Sequence, residues 1–354
     1  MPMTADRYDP GAFKSRVDGA LRRFVGEEAD RLVAIDPELA PVAEQVEAAV
    51  AEGKRLRAAF CYWGWRAAGQ PDSDALLLAA ASMELIHAAA VVHDDLIDDS
   101  PLRHGRPTAH IALRSGLRHR PRKVSAARAL AMLVGDLLIS LAGQLFAGSG
   151  LPAAYLARAR PLWSALAREL IAGECLEILR TGTAPDTEAS LKVIRYKTAK
   201  YTVEQPLLIG GALAGAGEHL RAGFSAYGLP LGEAFQLRDD LLGLFGDPAR
   251  TGKAPQDDLR TARPTALLAE TWRAADESER VELRTLLARG RSLDEAGVES
   301  VRTLMTRLDA PGRIEHMITA RVEEATRALD EVAVPRAAAA ALAALAHSAT
   351  VRRF

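Results

Sequence analysis

Along most of this chain apolar residues recur at the three-to-four-residue spacing of a helix face, not at the alternation of a strand. The clearest run is "ALLLAAASMELIHAAAVV" at 75–92: Asp72, Ser73 and Asp74 offer an N-cap ahead of it and Pro101 closes it. That predicts one helix of about seven turns ending in Asp94, Asp95 and Asp98. The same pattern predicts helices over 12–34, 41–68, 124–147, 152–180, 188–214, 218–245, 256–273 and 278–289, with shorter ones after them. The Ala-rich tail from 337 reads as a last helix, and the basic stretch "IALRSGLRHRPRK" at 111–123 as a connecting loop. No alternating Val/Ile/Thr run and no Asn-Gly hairpin stands out. The expected fold is all-α, a single large bundle of roughly ten or more helices, with 1–354 as one domain because no Pro/Gly/Ser linker divides it.

Two runs, 75–92 and 129–148, are apolar enough to raise the question of a membrane. Glu84 and His87 interrupt the first and Asp136 the second, so both are read as core helices and no stable membrane insertion is expected. Ala, Leu and Arg dominate while aromatics are 5%, the usage of helix formers. A formal charge of -1 gives no global attraction for nucleic acid. Cys61 and Cys175 lack the spacing of a disulfide framework or a zinc site, and the N-terminal stretch lacks the layout of a signal peptide, so a cytoplasmic protein is expected.

Asp94 and Asp98 are four residues apart and stack on one helix face, with Asp95 about 100° round. Like charges at that spacing repel, and the C-terminal end of the helix dipole makes the repulsion worse. A cation should therefore be held there, and a hard divalent ion such as Mg²⁺ suits oxygen ligands best. About 145 residues later "FQLRDDLLGLFGD" repeats the arrangement with Asp239 and Asp240. Two such helix ends can face each other across a cavity and hold Mg²⁺ between them. Basic groups cluster to match: Lys54, Arg55 and Arg57; Arg103 and Arg106; Lys197 and Lys200; Lys253, Arg260 and Arg263. Acidic helix ends with interspersed cations read as a site for a metal-bound diphosphate.

With those motifs in hand, the chain resembles the trans-isoprenyl diphosphate synthases, the polyprenyl synthetase family. The resemblance runs through "EGKRLR", "ELIHAAAVVHDDLIDDSPLRHGRPTAH", "LVGDLL", "GECLE", "KTAKYT", "FQLRDDLLGLFGD" and "GKAPQDDLR", in family order. It implies the isoprenoid synthase fold, helices around a central apolar cavity, in a homodimer that joins an allylic diphosphate to isopentenyl diphosphate head to tail. By the family pattern Asp94, Asp95 and Asp98 with Asp239 and Asp240 would hold Mg²⁺, three ions per site, on the allylic diphosphate. Arg103, Lys197 and Lys253 would grip that diphosphate, with Arg263 where the family usually has Lys. Thr198 and Gln236 would line the reacting carbons. Lys54, Arg57 and His87 would receive isopentenyl diphosphate, and His87 lies two turns, about 10 Å, before Asp94 on the same face.

Three departures from the family pattern bear on function. His104 follows Arg103 where a second Arg is usual, so Arg55 or Arg106 is a candidate to stand in. The second motif has Gly243 in place of a third Asp, with Asp247 a turn further on; Glu174 and Glu177 replace a frequent Gln and Asp. Product length follows from the pocket floor: Ala89 and Ala90, one turn before Asp94, are small where short-chain enzymes tend to carry aromatic rings, and Ile86 lies deeper. Geranylgeranyl diphosphate is the expected product. The competing readings are a longer-chain synthase, a non-catalytic regulatory subunit of such a synthase, and a class I terpene cyclase.

Overall fold

The computed structural model describes residues 8–117, 122–246 and 257–350. By internal packing the chain divides into two compact units, Met1–Arg160 with Ile209–Ala216 and Val334–Ala341, and Pro161–Leu208 with Gly217–Ala333 and Leu342–Phe354. The described residues are helical almost throughout, as the spacing of apolar positions predicts.

The first unit begins with α1 (Pro10–Ile35), capped by the Asp9 carboxylate, with Phe13, Val17, Leu21, Val25 and Ala29 forming its buried stripe. Residues 41–68 are two helices, α2 (Ala40–Val50) and α3 (Leu56–Ala67), where one was expected. The chain breaks between them because Gly53 and Arg55 both take positive φ, +133° and +58°. Arg55 holds the break together: its guanidinium donates to Asp18 Oδ1 at 2.6 Å and to the carbonyls of Val50 and Glu52 at 2.6 and 2.7 Å.

α4 (Asp74–Ile97) starts at Ser73, whose hydroxyl accepts from Leu76 N–H, and packs lengthwise against α6 (Lys123–Ala147). Between them lie a two-residue hairpin, β1 (Leu102–Arg103) with β2 (Arg106–Pro107), and α5 (Ala109–Gly116). His104 and Gly105 both have positive φ, the geometry of the tight turns that join antiparallel strands without an Asn-Gly pair. α5 corrects the reading of 111–123 as loop: Leu113 is buried against Ala127 and Ala131 of α6, and this packing overrides the local charge.

Among the described residues, α4 and α6 are the two helices long and apolar enough to cross a membrane, but they are buried to different degrees. In α4 72% of the apolar window is inside the protein, as expected of a core helix, whereas in α6 only 44% is. The remainder of α6 departs from the expectation: Val124, Met132, Leu133 and Ile139 are exposed.

The second unit is organised around α10 (Glu218–Phe245). It takes part of α7 (Ala153–Arg180), α8 (Thr187–Ile194), a π-helix (Arg195–Glu204) and part of α9 (Gln205–Ala214). Then come α11 (Asp257–Arg260), α12 (Ala266–Ala274), α13 (Glu277–Leu287), α14 (Glu295–Arg307), α15 (Ala310–Asp330) and part of α16 (Arg336–Thr350). Its core joins Leu237, Leu241 and Leu244 of α10 to Leu267, Val301, Leu304, Ile314 and Ile318.

The single helix expected over 188–214 is continuous, but its middle is wound to the five-residue step, as where Gln205 N–H donates to Lys200 O. A wider turn needs slim neighbours. A Cβ on Gly173 of α7 would come within 2.2 Å of Lys197 N, and one on Gly232 of α10 within 2.5 Å of Ala199 Cα.

Candidate functional site

Among the described residues, each unit carries an aspartate-rich helix end. In the first, the chain leaves α4 through a left-handed Asp99 at φ +53°, and Ser100 N–H closes on Asp95 O at 2.9 Å, a Schellman-type stop built on Asp in place of Gly. Arg128 of α6 reinforces it, donating to Leu96 O at 2.8 Å and to the Asp99 carboxylate at 2.9 Å, a cation at the negative end of the helix. Asp94 and Asp98 are half-buried, and Asp95 is buried.

The hairpin delivers Arg103 to these carboxylates. Its Nε donates to Asp95 Oδ1 at 3.0 Å and its terminal nitrogen reaches Asp94 Oδ2 at 3.2 Å as well as Asp95. Burial works against the guanidinium charge, yet Asp95 and Asp94 outweigh it and hold Arg103 more firmly protonated than usual. The cation that the aspartate spacing demands is thus supplied by the chain itself. His104, at the turn, is exposed, and Arg106 pairs with Glu52 at 2.9 Å on the surface.

His87 is half-buried two turns before Asp94. Desolvation first, then the positive charges of Arg57, Arg103 and Arg55, push its pKa well below the ordinary imidazole value, with Asp94 opposing. The ring is therefore neutral at physiological pH and can both donate and accept a hydrogen bond. Arg57 is buried in the first turn of α3, and Lys54 is exposed just before it. Arg55 is committed differently from its expected role as a diphosphate ligand, because its guanidinium is bonded into the α2–α3 break. Ala89 and Ile86 are buried and Ala90 half-buried, small or aliphatic surfaces on the turns below Asp94.

In the second unit Asp239 and Asp240 lie on the last turns of α10. Thr198 Oγ1 donates to Gln236 Oε1 at 2.8 Å, and Gln236 Nε2 donates to Asp240 Oδ1 at 2.7 Å. The carboxylate fixes which end of the amide is the donor, so the three residues form one directed chain. Lys197 is held by two glutamates of α7, Glu174 at 2.8 Å and Glu177, and the Arg263 Nε stands 3.9 Å from Glu177. Lys200 bonds Glu169 at 3.2 Å, and Glu169 also accepts from Gln205 at 3.1 Å. Lys253 and Asp247, both singled out from the sequence, lie outside the described residues.

The partners of these cations went unread in the sequence. Glu174 and Glu177 stand out in the sequence only as substitutions, although their three-residue spacing on a helix sets both on one face, as the grip on Lys197 requires. In each unit the acidic donors are carboxylate oxygens, the set that suits Mg²⁺ rather than a thiophilic metal.

A sequence model of polyprenyl synthetase matches residues 40–305. The chain belongs to the polyprenyl synthetase family. Among relatives it is 35% identical over 226 residues to the (2E,6E)-farnesyl diphosphate synthase of Mycobacterium tuberculosis, 63% of this chain and 57% of that protein. The chain thus spans 57% of the length of those mycobacterial relatives. It is 29% identical over 278 residues, 78% of each chain, to the octaprenyl diphosphate synthase of Escherichia coli. Among solved structures, geranylgeranyl pyrophosphate synthase from Corynebacterium glutamicum, complexed with isoprenyl diphosphate and magnesium, aligns with a TM-score of 0.92 at 32% identity, covering 98% of this chain and 100% of that one. This member of the polyprenyl synthetase family therefore has relatives whose products differ widely in length.

Proposed function

We propose that this protein is a Mg²⁺-dependent prenyltransferase that condenses isopentenyl diphosphate head to tail with an allylic diphosphate. The observation that carries the reading is the closing of Arg103 on Asp94 and Asp95: an acidic helix end and a cation on a short hairpin, arranged so that metal and diphosphate together can replace the internal pair. Bound Mg²⁺ supplies positive charge to the departing diphosphate.

On this reading Asp94, Asp95 and Asp98 in the first unit and Asp239 and Asp240 in the second are the metal ligands, three ions being taken up per site. Arg103, Lys197, Arg263 and Lys253 bind the allylic diphosphate and stabilise the negative charge that grows on it as the C–O bond breaks. The Thr198 hydroxyl and the Gln236 amide turn their dipoles toward the allylic carbon that becomes positive. Lys54, Arg57 and neutral His87 hold isopentenyl diphosphate, whose double bond attacks that carbon. The proton lost afterwards goes to the released diphosphate, so no protein nucleophile is required.

Ala89 and Ala90 favour geranylgeranyl diphosphate as product, since a methyl group at each leaves room for a tail beyond the farnesyl length. The exposed apolar side of α6 supports a homodimer, in which a second copy covers Met132, Leu133 and Ile139. A cytoplasmic location agrees with two free thiols, Cys61 and Cys175. The test is to incubate the purified chain with isopentenyl diphosphate, Mg²⁺ and, in turn, dimethylallyl, geranyl and farnesyl diphosphate, then measure the released alcohols after phosphatase treatment. Geranylgeraniol is expected; a longer ladder keeps the chemistry and moves the floor below Ile86. A cyclic hydrocarbon from the allylic diphosphate alone, or binding without turnover, would overturn the reading.

A further inference from the structure

The start of α3 has no cap of its own. Its N-cap position is Arg55, left-handed and without an oxygen to offer, so its side chain accepts no hydrogen bond from the first turn. Ala58, in that turn, is fully buried, and its N–H would be an orphan donor. A carboxylate from another helix satisfies it: Glu84 of α4, only 3% exposed, accepts from Ala58 N–H at 2.9 Å. Glu84 stands one turn before His87 on the same face of α4, and Arg57, whose charge acts on His87, is the residue next to Ala58. The segment 54–57 is therefore anchored at two points, by Arg55 to Asp18 and by Glu84 to the helix start.

We infer that Glu84 is a positioning residue for the isopentenyl diphosphate subsite, capping α3 from α4 and so setting where Arg57 stands relative to His87. The inference rests on the assignment of Lys54, Arg57 and His87 proposed above. An Asp–metal cluster needs no such cap, so the effect of losing it falls on one substrate.

Steady-state kinetics with each substrate varied, on E84L, E84D and E84Q beside R57A, test it, with thermal unfolding recorded for each. E84L removes the acceptor and E84D draws it back by one methylene. Both should raise KM for isopentenyl diphosphate about tenfold, while KM for the allylic diphosphate and kcat stay within about twofold. E84Q keeps an oxygen for Ala58 N–H and should stay within about twofold of the wild type throughout. Should E84L not fold, E84D and E84Q decide the matter. Unchanged isopentenyl KM in folded E84D, an equal loss in every constant, or an E84Q as impaired as E84D would each overturn the inference. An R57A with unchanged isopentenyl KM would instead remove the subsite assignment itself.

Discussion

The two aspartate-rich helix ends reach similar sequences by different means of stabilisation. At the end of α4 the carboxylates of Asp94 and Asp95 close on a guanidinium, Arg103, brought in by a hairpin only eight residues away from Asp95. At the end of α10 Asp240 is held by an uncharged amide, Gln236, itself ordered by Thr198, while Lys197 is held by Glu174 and Glu177 of α7. The first neutralises charge with a guanidinium from outside the helix; the second adds orientation through a directed chain of hydrogen bonds. Loss of the guanidinium should therefore show first in stability and metal dependence, and loss of the amide chain first in turnover.

The largest effect expected of breaking this comparison is at the metal ligands. D94A and D95A should each lower kcat/KM by about a thousandfold or more, the scale of losing several kcal/mol of charge stabilisation. Retention of wild-type kcat/KM in D95A would show that its bond to Arg103 is purely structural.

R103Q comes next. Leaving Asp95 and Asp94 without their guanidinium should cost about 2 kcal/mol of stability in metal-free buffer, below the full penalty of a buried pair because the site is partly wet. Added Mg²⁺ should recover most of that and stabilise R103Q more than the wild type, as calorimetry with and without the ion would show. Equal stabilisation of both proteins would mean that Arg103 and the ion do not compete.

At the second helix end, Q236L should lower kcat about tenfold to a hundredfold and T198V about tenfold, with little change in melting temperature. If Q236L shifted the Mg²⁺ dependence as strongly as R103Q, the contrast between the two clusters would fail.

The smallest effect concerns pH. His87 has a folded pKa depressed below its unfolded value, so the unfolded chain binds more protons in the window between the two and stability rises with pH there. The contribution is complete above the unfolded value, about 6.5, and is lost as pH falls from there toward the folded value. Unfolding curves of the wild type and H87Q should therefore converge below about pH 6.5 relative to pH 8, and parallel curves would remove His87 from the account.

How much of this could be read in advance differs along the chain. α4 was legible because its apolar run, its Ser73 cap and its stop at Asp98 agree with one another. The break between α2 and α3 was not, since a single Gly53 within a helical pattern is a weak signal and the deciding contact, Arg55 with Asp18, spans 37 residues. α5 is hidden in the sequence because its charge suggests loop while its register on α6 is invisible. The sequence marks Asp94, Asp95, Asp98, Asp239 and Asp240, and also Arg103, Thr198 and Gln236, but not how they pair: it offers Arg103 as a diphosphate ligand and not as the counter-ion of Asp95, Thr198 and Gln236 as a lining and not as the chain to Asp240, and Glu84 only as a break in an apolar run.

What the sequence alone determined is the all-helical class, the two acidic helix ends and the membership of a family of prenyl-diphosphate chemistry, because periodicity, capping and motif spacing are local and survive without coordinates. Only the tertiary structure decided which cation meets which carboxylate, that α6 is half exposed where α4 is buried, that residues 195–204 wind as a π-helix, and that Glu84 caps a helix other than its own. Each of these depends on groups brought together from distant points of the chain, where the free energy of a contact depends on burial and approach, and neither is written in the order of the residues.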